Sequence, residues 1–502
     1  MRSVLIAGTA SHVGKTAVVT GLCRSLARKG VKVAPFKAQN MSLNSSVTPD
    51  LAEIGRAQAL QAQAAGVTPE ARMNPVLIKP GSNFANHLIV LGKPASPESE
   101  AHLRNPKALL EIVLESFHDL ESRFDLVVCE GAGSPAEINL RSSDIVNLGF
   151  AHAAGDIPTL LVGDIDHGGI FASLIGTLGV LSPLDQALIV GFIINKFRGD
   201  PGLFSKGLSM LEDLTGRPTF GLLPYLEDIG LDAEDMLDQG LVRYTQPPVG
   251  NDILRVTVIA FPHMSNHTDL DPLACEPGVI LRFAQHPADL ADADLIVLPG
   301  TRETVSDLNW MRTYQLDSAV LRHAAQGKPV LGICGGYQML GDTIEDQVES
   351  KAGTIKGLSL LPIETTFMTD KTLARPSRIL PDGTTITGYE IHHGKVTRQG
   401  GESLVADIGC RSGPVAGTTW HGLFENDAFR RSHLEQIATM CSKDFTASPN
   451  TRYEDIREGV IERLADLIDE HFNHAALDRL LEKGPGTLPW LEWNIVSPVA
   501  GR

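Results

Sequence analysis

"SVLIAGTASHVGKT", residues 3–16, joins a short aliphatic run to a turn that closes on Gly14, Lys15 and Thr16. A strand feeding such a turn, with an amphipathic helix pattern directly behind it, is the opening of a parallel α/β sheet. The turn also carries chemistry. Several of its backbone N–H groups can face a phosphate, Lys15 can reach the phosphate oxygens and Thr16 can ligate magnesium, so ATP is the expected ligand. The spacing departs from the usual glycine pattern: Thr9 stands where the first glycine is expected, and Gly8 lies one residue earlier.

Outward from this stretch, "VKVAPFK", "FDLVVCEGAG", "IPTLLVGDID" and "ALIVGFIINK" have the nearly continuous hydrophobicity of strands buried on both sheet faces. "LAEIGRAQALQAQAAG", residues 51–66, reads as a helix ended by Gly66. A chain of 502 residues exceeds what one core organises, roughly 250 to 300 residues. The paired prolines of "YTQPPVGNDI" mark a connector, after which "LRVTVIAF", "ADLIVLPG" and "KPVLGICGG" start a second set of strands. The expected division is a first domain over 1–243, a second over 251–440 and a helical C-terminal extension over 441–502.

A net charge of −17 argues against a general nucleic-acid or anionic-membrane surface and favours a small ligand. The six scattered cysteines form neither a disulfide framework nor paired metal-ligand spacing, which fits a reducing, cytoplasmic setting. The opening residues lack the long apolar core of a signal peptide. Runs such as "ALIVGFII" are far shorter than the ~20 residues of a membrane span.

In "PVLGICGGYQML", Cys334 sits between a strand and a short helix pattern, flanked by glycines. That setting reads as a nucleophile elbow, with Gly335 and the Gly300 of "LPGT" as backbone donors to an oxyanion. His421 of "TTWHGLFEN" is the expected base, and His392 and His393 are the alternatives. In the first domain, "FKAQNMSLNS" offers Lys37, Gln39, Asn40 and Asn44 for phosphate, carboxylate or amide recognition. Asp50, Glu53 and Glu130, with Asp164 and Asp166, are the acidic candidates for magnesium, a hard cation that prefers oxygen.

Together "GTASHVGKT", "KAQNMSLNS", "EIGRAQALQA", "CEGAGSPAEINL", "GDIDHGGIFASLIGT", "INKFRGD", "GICGGYQML", "GYEIHHG" and "WHGLFEN" resemble the cobyric acid synthase family, glutamine-dependent amidotransferases of cobalamin biosynthesis. The resemblance implies a P-loop amidoligase domain similar to dethiobiotin synthetase, followed by a class I glutamine amidotransferase-like α/β domain. It implies that Cys334 attacks the glutamine amide while His421 shuttles protons. ATP then activates a corrinoid carboxylate for capture of the ammonia. Four amidations would follow on adenosylcobyrinic acid a,c-diamide, at the b, d, e and g side chains, with no tightly bound organic cofactor.

Carried onto this chain, the resemblance gives Lys15 and Thr16 to the phosphate and magnesium site, Glu53 and Glu130 to the metal, and Asn195 to the nucleotide base. It puts Gln39, Asn40, Asn44, Glu137, Asn139, Asp166 and His167 around the corrinoid. Two residues after the histidine, where many class I enzymes carry glutamate, this chain has Leu423. The expectation is therefore a Cys334–His421 dyad, with Glu425 or Glu390 as the possible orienters. The alternatives are cobyrinic acid a,c-diamide synthase, a regulatory P-loop ATPase, and a second domain that only binds.

Overall fold

Strict alternation along the first strand decides how the first domain packs. A computed structural model describes residues 2–81, 87–95, 105–227 and 246–492. In it Leu5 and Ala7 enter one apolar layer, while Val4 and Ile6 enter the layer on the opposite face. Successive side chains of a strand point to opposite faces, so a run with no polar residue needs cover on both.

In chain order the elements of this domain that frame the site are β1 (Ser3–Gly8), α1 (Lys15–Arg28), β2 (Val33–Phe36), a hairpin of β3 (Ser45–Val47) and β4 (Glu53–Gly55), α2 (Arg56–Ala64), β5 (Leu126–Glu130), β6 (Thr159–Asp164), β7 (Ile189–Phe197) and β8 (Thr219–Pro224). The main sheet runs β8-β7-β6-β1-β5-β2 with every pair parallel. All its strand C-termini therefore lie along one edge, where open α/β sheets bind ligands. Gly8, Glu130, Asp164 and Asn195 all lie at or near that edge.

The stretch 51–66 departs from the expected helix. Helix α2 starts only at Arg56, and Glu53–Gly55 pairs antiparallel with Ser45–Val47 instead. Gly55 at φ −58°, ψ 139° is extended, and the buried Glu53 is held by lysines, so tertiary contacts outweigh the helix propensity of the run.

The second sheet is built from β9 (Leu254–Ile259), β10 (Val279–Ala284), β11 (Leu295–Leu298), β12 (Val330–Ile333), β15 (Cys410–Ser412) and β16 (Val415–Thr418). Its order is β10-β9-β11-β12-β16-β15, parallel except for the final pair. Beside it a four-stranded sheet contains β13 (Ile363–Ala374) and β14 (Glu390–Arg398), and α3 (Gly335–Met339) follows β12 directly. The expected boundary at 243 lies outside the described residues.

The chain then continues through α4 (Asp427–Met440), α5 (Tyr453–His471) and α6 (His474–Lys483). Helix α5 returns to the first sheet and packs on α1, with Ile461 and Ile468 joining Val18 and Leu22 in one layer. Arg24 pairs with Glu458, and Arg28 reaches Asp466 at 2.7 Å and Asp469 at 3.1 Å. The tail is thus an outer layer of the first domain. Among the described residues, no helix is long and apolar enough to cross a membrane.

Close approach of α1 and α5 requires Gly21. A Cβ there would stand 2.5 Å from the Leu464 carbonyl oxygen and 2.8 Å from Ile468 Cγ1. Gly21→Ala must push the helices apart, so we expect a loss of about 1–3 kcal/mol, read as a lowered melting temperature by calorimetry. An unchanged melting temperature would contradict this packing.

Candidate active site

The elbow after β12 is strained at the cysteine itself. Cys334 adopts φ 49°, ψ −110°, a conformation that a side chain bearing a Cβ rarely takes. The glycines around it serve another purpose: a Cβ on Gly336 would meet the Leu298 carbonyl oxygen at 2.0 Å, and one on Gly332 would meet Tyr337 Cα at 2.6 Å. They let α3 lie almost in contact with β11 and β12. The Cys334 sulfur faces the Ile391 carbonyl at 3.9 Å and touches His421.

His421 is buried, and its Nδ1 lies 2.6 Å from Asp269 Oδ2. The other carboxylate oxygen of Asp269 accepts the Gly422 N–H at 2.7 Å. Burial works against a charged imidazole, yet the Asp269 carboxylate and the Cys334 sulfur raise His421 to about 10. Tyr389 covers the ring in a stack with centroids 5.3 Å apart, and its backbone exchanges two hydrogen bonds with that of His421. Gly300 backs onto the same ring: a Cβ there would lie 3.2 Å from His421 Cε1. Gly335 begins α3 immediately after the cysteine.

Asp269 was not among the expected orienters, and neither Glu425 nor Glu390 takes that place. Glu425 pairs with Arg56 of the first domain at 2.8 Å. Glu390 accepts from Thr419 at 2.7 Å and lies 3.2 Å from His392. His393 is turned to the Met368 carbonyl. Asp269 sits 152 residues before His421 in "SNHTDLDPL", and no periodicity or spacing distinguishes it there from Asp271.

At the edge of the first sheet, Glu130 is the centre of a buried polar cluster. It accepts from Thr16 Oγ1 at 2.9 Å, from Lys37 at 2.9 Å and from Gln61 Nε2 at 2.5 Å. Burial disfavours its charge, but Lys37, Gln61 and Lys15 hold the carboxyl below its usual range. Lys15 rests on the carbonyls of Ala10 and Gly133, at 3.0 and 3.2 Å. Thr9 donates its N–H to Val162, and Gly14 caps α1 at φ 94°.

The oxygens of Thr16 and Glu130, with the buried Gln61 Oε1 that has no hydrogen-bond partner, form a donor set suited to magnesium. Among the described residues, no group of three or more His, Cys, Asp or Glu side chains is arranged to hold a metal. Gln61 is the residue sequence reasoning passed over here, because α2 read as an ordinary helix.

Glu53 does not join this set. One of its oxygens is held by Lys79 and by Ser45 at 2.8 Å, the other by Lys371 of the second domain. Those ammonium groups hold its carboxyl well below the usual range despite burial, and they would repel a cation. Asn195 donates through Nδ2 to the Val13 carbonyl at 2.9 Å, bracing the phosphate loop.

Asn44 is buried between the domains, with its side-chain oxygen accepting the His267 N–H at 3.2 Å. Its amide oxygen is therefore occupied by the second domain. Gln39 is half-buried, and Asn40 donates to Gln58 at 3.1 Å. Glu137, Asn139, Asp166 and His167 are exposed on the segments that follow β5 and β6. Of these, Asp166 pairs with Arg198 at 2.7 Å, and His167 lies 2.9 Å from Asp164.

Comparison with known proteins follows the same division. Residues 4–237 match the CobQ/CobB/MinD/ParA nucleotide binding domain, and residues 255–429 match the CobB/CobQ-like glutamine amidotransferase domain. Among similar relatives, the cobyric acid synthase of Streptomyces coelicolor is 52% identical, covering 97% of this chain and 98% of its own. That of Streptomyces avermitilis is 53% identical over the same shares, and that of Saccharopolyspora erythraea 52% identical over 98% of this chain and 97% of its own. With identity of this order along nearly the whole length, the chain belongs to the cobyric acid synthase family.

Proposed function

We propose that the protein amidates corrinoid carboxylates in cobalamin synthesis, taking nitrogen from glutamine and activation from ATP. The observation that carries this reading is a buried Cys334–His421–Asp269 assembly in the same chain as a phosphate loop whose Thr16 meets a buried Glu130.

In the second domain, the Cys334 thiolate adds to the glutamine amide carbon, with the N–H groups of Gly335 and Gly300 facing the developing oxyanion. His421 gives its proton to the departing nitrogen, leaving ammonia and a glutamyl thioester that water hydrolyses to glutamate. Asp269 is a positioning residue that fixes the tautomer and direction of the imidazole. In the first domain, Lys15 and the loop N–H groups hold the ATP phosphates while Lys37 stabilises charge on the transferring phosphoryl group. Magnesium held by Thr16, Glu130 and Gln61 would neutralise charge on those phosphates.

The carboxylate becomes an acyl phosphate with release of ADP, and ammonia displaces phosphate to leave the amide. Likeness to the family supports adenosylcobyrinic acid a,c-diamide as the acceptor, with four amidations at the b, d, e and g positions. The six cysteines remain free thiols, which supports a cytoplasmic setting.

Purified protein with magnesium, ATP, glutamine and that acceptor should give four successive carboxylate-to-amide mass changes, and an unchanged acceptor mass would reject the assignment. Cys334→Ala should abolish glutamine-driven amidation while leaving the reaction with added ammonium salt. Lys15→Ala should lower both reactions about 100-fold; retention of either rate would remove Lys15 from the phosphate site.

Asp269→Asn tests the third member. Its carboxylate raises the His421 pKa, so its removal lowers that pKa, and the alkaline limb of glutamine hydrolysis should move down from about 10. Turnover should fall roughly 100-fold or more. A variant with the parental pH profile would show that Asp269 does not act on His421.

A further inference from the structure

The hairpin β3–β4 of the first domain touches the loop that leads into Asp269 and the strand region that covers Cys334 and His421. At its base, Asn44 and Asn266 form a reciprocal clasp: Asn44 Oδ1 accepts the His267 N–H at 3.2 Å, and Asn266 Oδ1 accepts the Ser45 N–H at 3.0 Å. All four residues are buried. Asn266 holds φ 51°, ψ 42° and directly precedes the short 3-10 helix His267–Leu270 that carries Asp269. Further along, Val47 packs on Tyr389 and Ile391, the first stacked on His421 and the second presenting its carbonyl to the Cys334 sulfur. Beyond the hairpin, Arg56 grips Glu425, four residues past His421.

We propose that Asn44 and Asn266 are positioning residues for glutamine hydrolysis, the first domain using this clasp to hold Asp269 against His421. The proposal rests on the glutaminase reading of Cys334 and His421. Within the second domain the same loop is tied by the Ser265 N–H to the Gly300 carbonyl at 2.8 Å, and the clasp is the anchor from the other side, reaching the left-handed Asn266 and His267 that lead into the Asp269 turn. The clasp supplies two hydrogen bonds in a dry interface, where bonds of this kind are strong and directional. From the same hairpin the chain enters α2, whose Gln61 contacts Glu130, so one continuous segment touches both reacting centres.

Two single variants test the clasp from opposite sides. Asn44→Ala removes one acceptor, and Asn266→Gly removes the other while keeping a residue that tolerates positive φ. In the full-length protein, each should lower kcat for glutamine hydrolysis about tenfold, as expected for losing one buried hydrogen bond at a reacting assembly. KM for glutamine should change little. Alkylation of Cys334 by iodoacetamide, followed on its peptide by mass spectrometry, should slow in parallel. Amidation driven by ammonium salt should stay within about twofold of the parent, which also reports that the fold is intact.

Unchanged kcat and alkylation in both variants would overturn the proposal. Equal losses in the glutamine- and ammonia-driven reactions would also overturn it, assigning the hairpin to the first domain's own chemistry. Cys334→Ala, run alongside, separates this failure from the other: if that variant still used glutamine, the glutaminase reading itself would fall.

Discussion

The Asp269 carboxylate makes two hydrogen bonds with two different jobs. One oxygen fixes the His421 ring at 2.6 Å, and the other fixes the Gly422 backbone at 2.7 Å, so side chain and main chain are set by the same group. Rotation of the imidazole is then coupled to movement of the whole loop. Because the pair is buried, a displaced carboxylate would leave a charged imidazole without its partner, at a far higher cost than at the surface. The placement of residues 264–270 is therefore the constraint on which the second site depends. Ser265 ties that loop to Gly300 at 2.8 Å, and the hairpin of the first domain ties it from the other side.

Three buried carboxylates show how partners determine roles. Asp269 faces a histidine and backbone, and its effect is to favour a proton on that ring. Glu130 faces a hydroxyl, an amide and a lysine, leaving oxygen-rich surroundings at the edge of a parallel sheet. Glu53 lies between two ammonium groups, one from each domain, and is consumed by that contact. Burial pushes Lys79 down to about 8, with Glu53 offsetting part of that effect, so the cluster is a compromise between desolvation and pairing. An acidic residue in a conspicuous motif thus becomes a structural clamp.

What could be read from the chain is what local pattern determines. The continuous apolar runs became strands because both sheet faces are covered, and the turn at Gly14 and the elbow at Cys334 follow from residues adjacent in sequence. Cys334 and His421 were nameable because their chemistry is rare and their settings distinctive. Asp269 was not, since its meaning arises only when a loop 152 residues away folds against it. The partners of Glu53 and Asn44 were illegible for a related reason: polar residues near a phosphate loop look like ligand contacts, and only the folded chain brings second-domain groups onto them. The start of α2 was lost to the same interface. Propensity favours helix from residue 51, whereas pairing with β3 holds Glu53–Gly55 extended.

The second domain is held to the first by two different means: the tail that follows it packs back onto the first domain, and the hairpin meets it directly. The α1–α5 layer is apolar with an ionic border, so it supplies adhesion that tolerates small shifts. The hairpin contact is mostly polar and geometrically demanding, with opposed amide acceptors on backbone donors and a carboxylate between lysines from both domains. An apolar layer alone could bring the sheets together without fixing the distance from Cys334 to Glu130. The polar clasp alone would be too small to hold two domains against their lost freedom. Because the chain's last helices return to the first sheet, the second domain is tethered at both of its ends, and the polar contacts can act as a register rather than as glue. That division explains why the hairpin can carry buried polar groups where an interface built for affinity would be apolar.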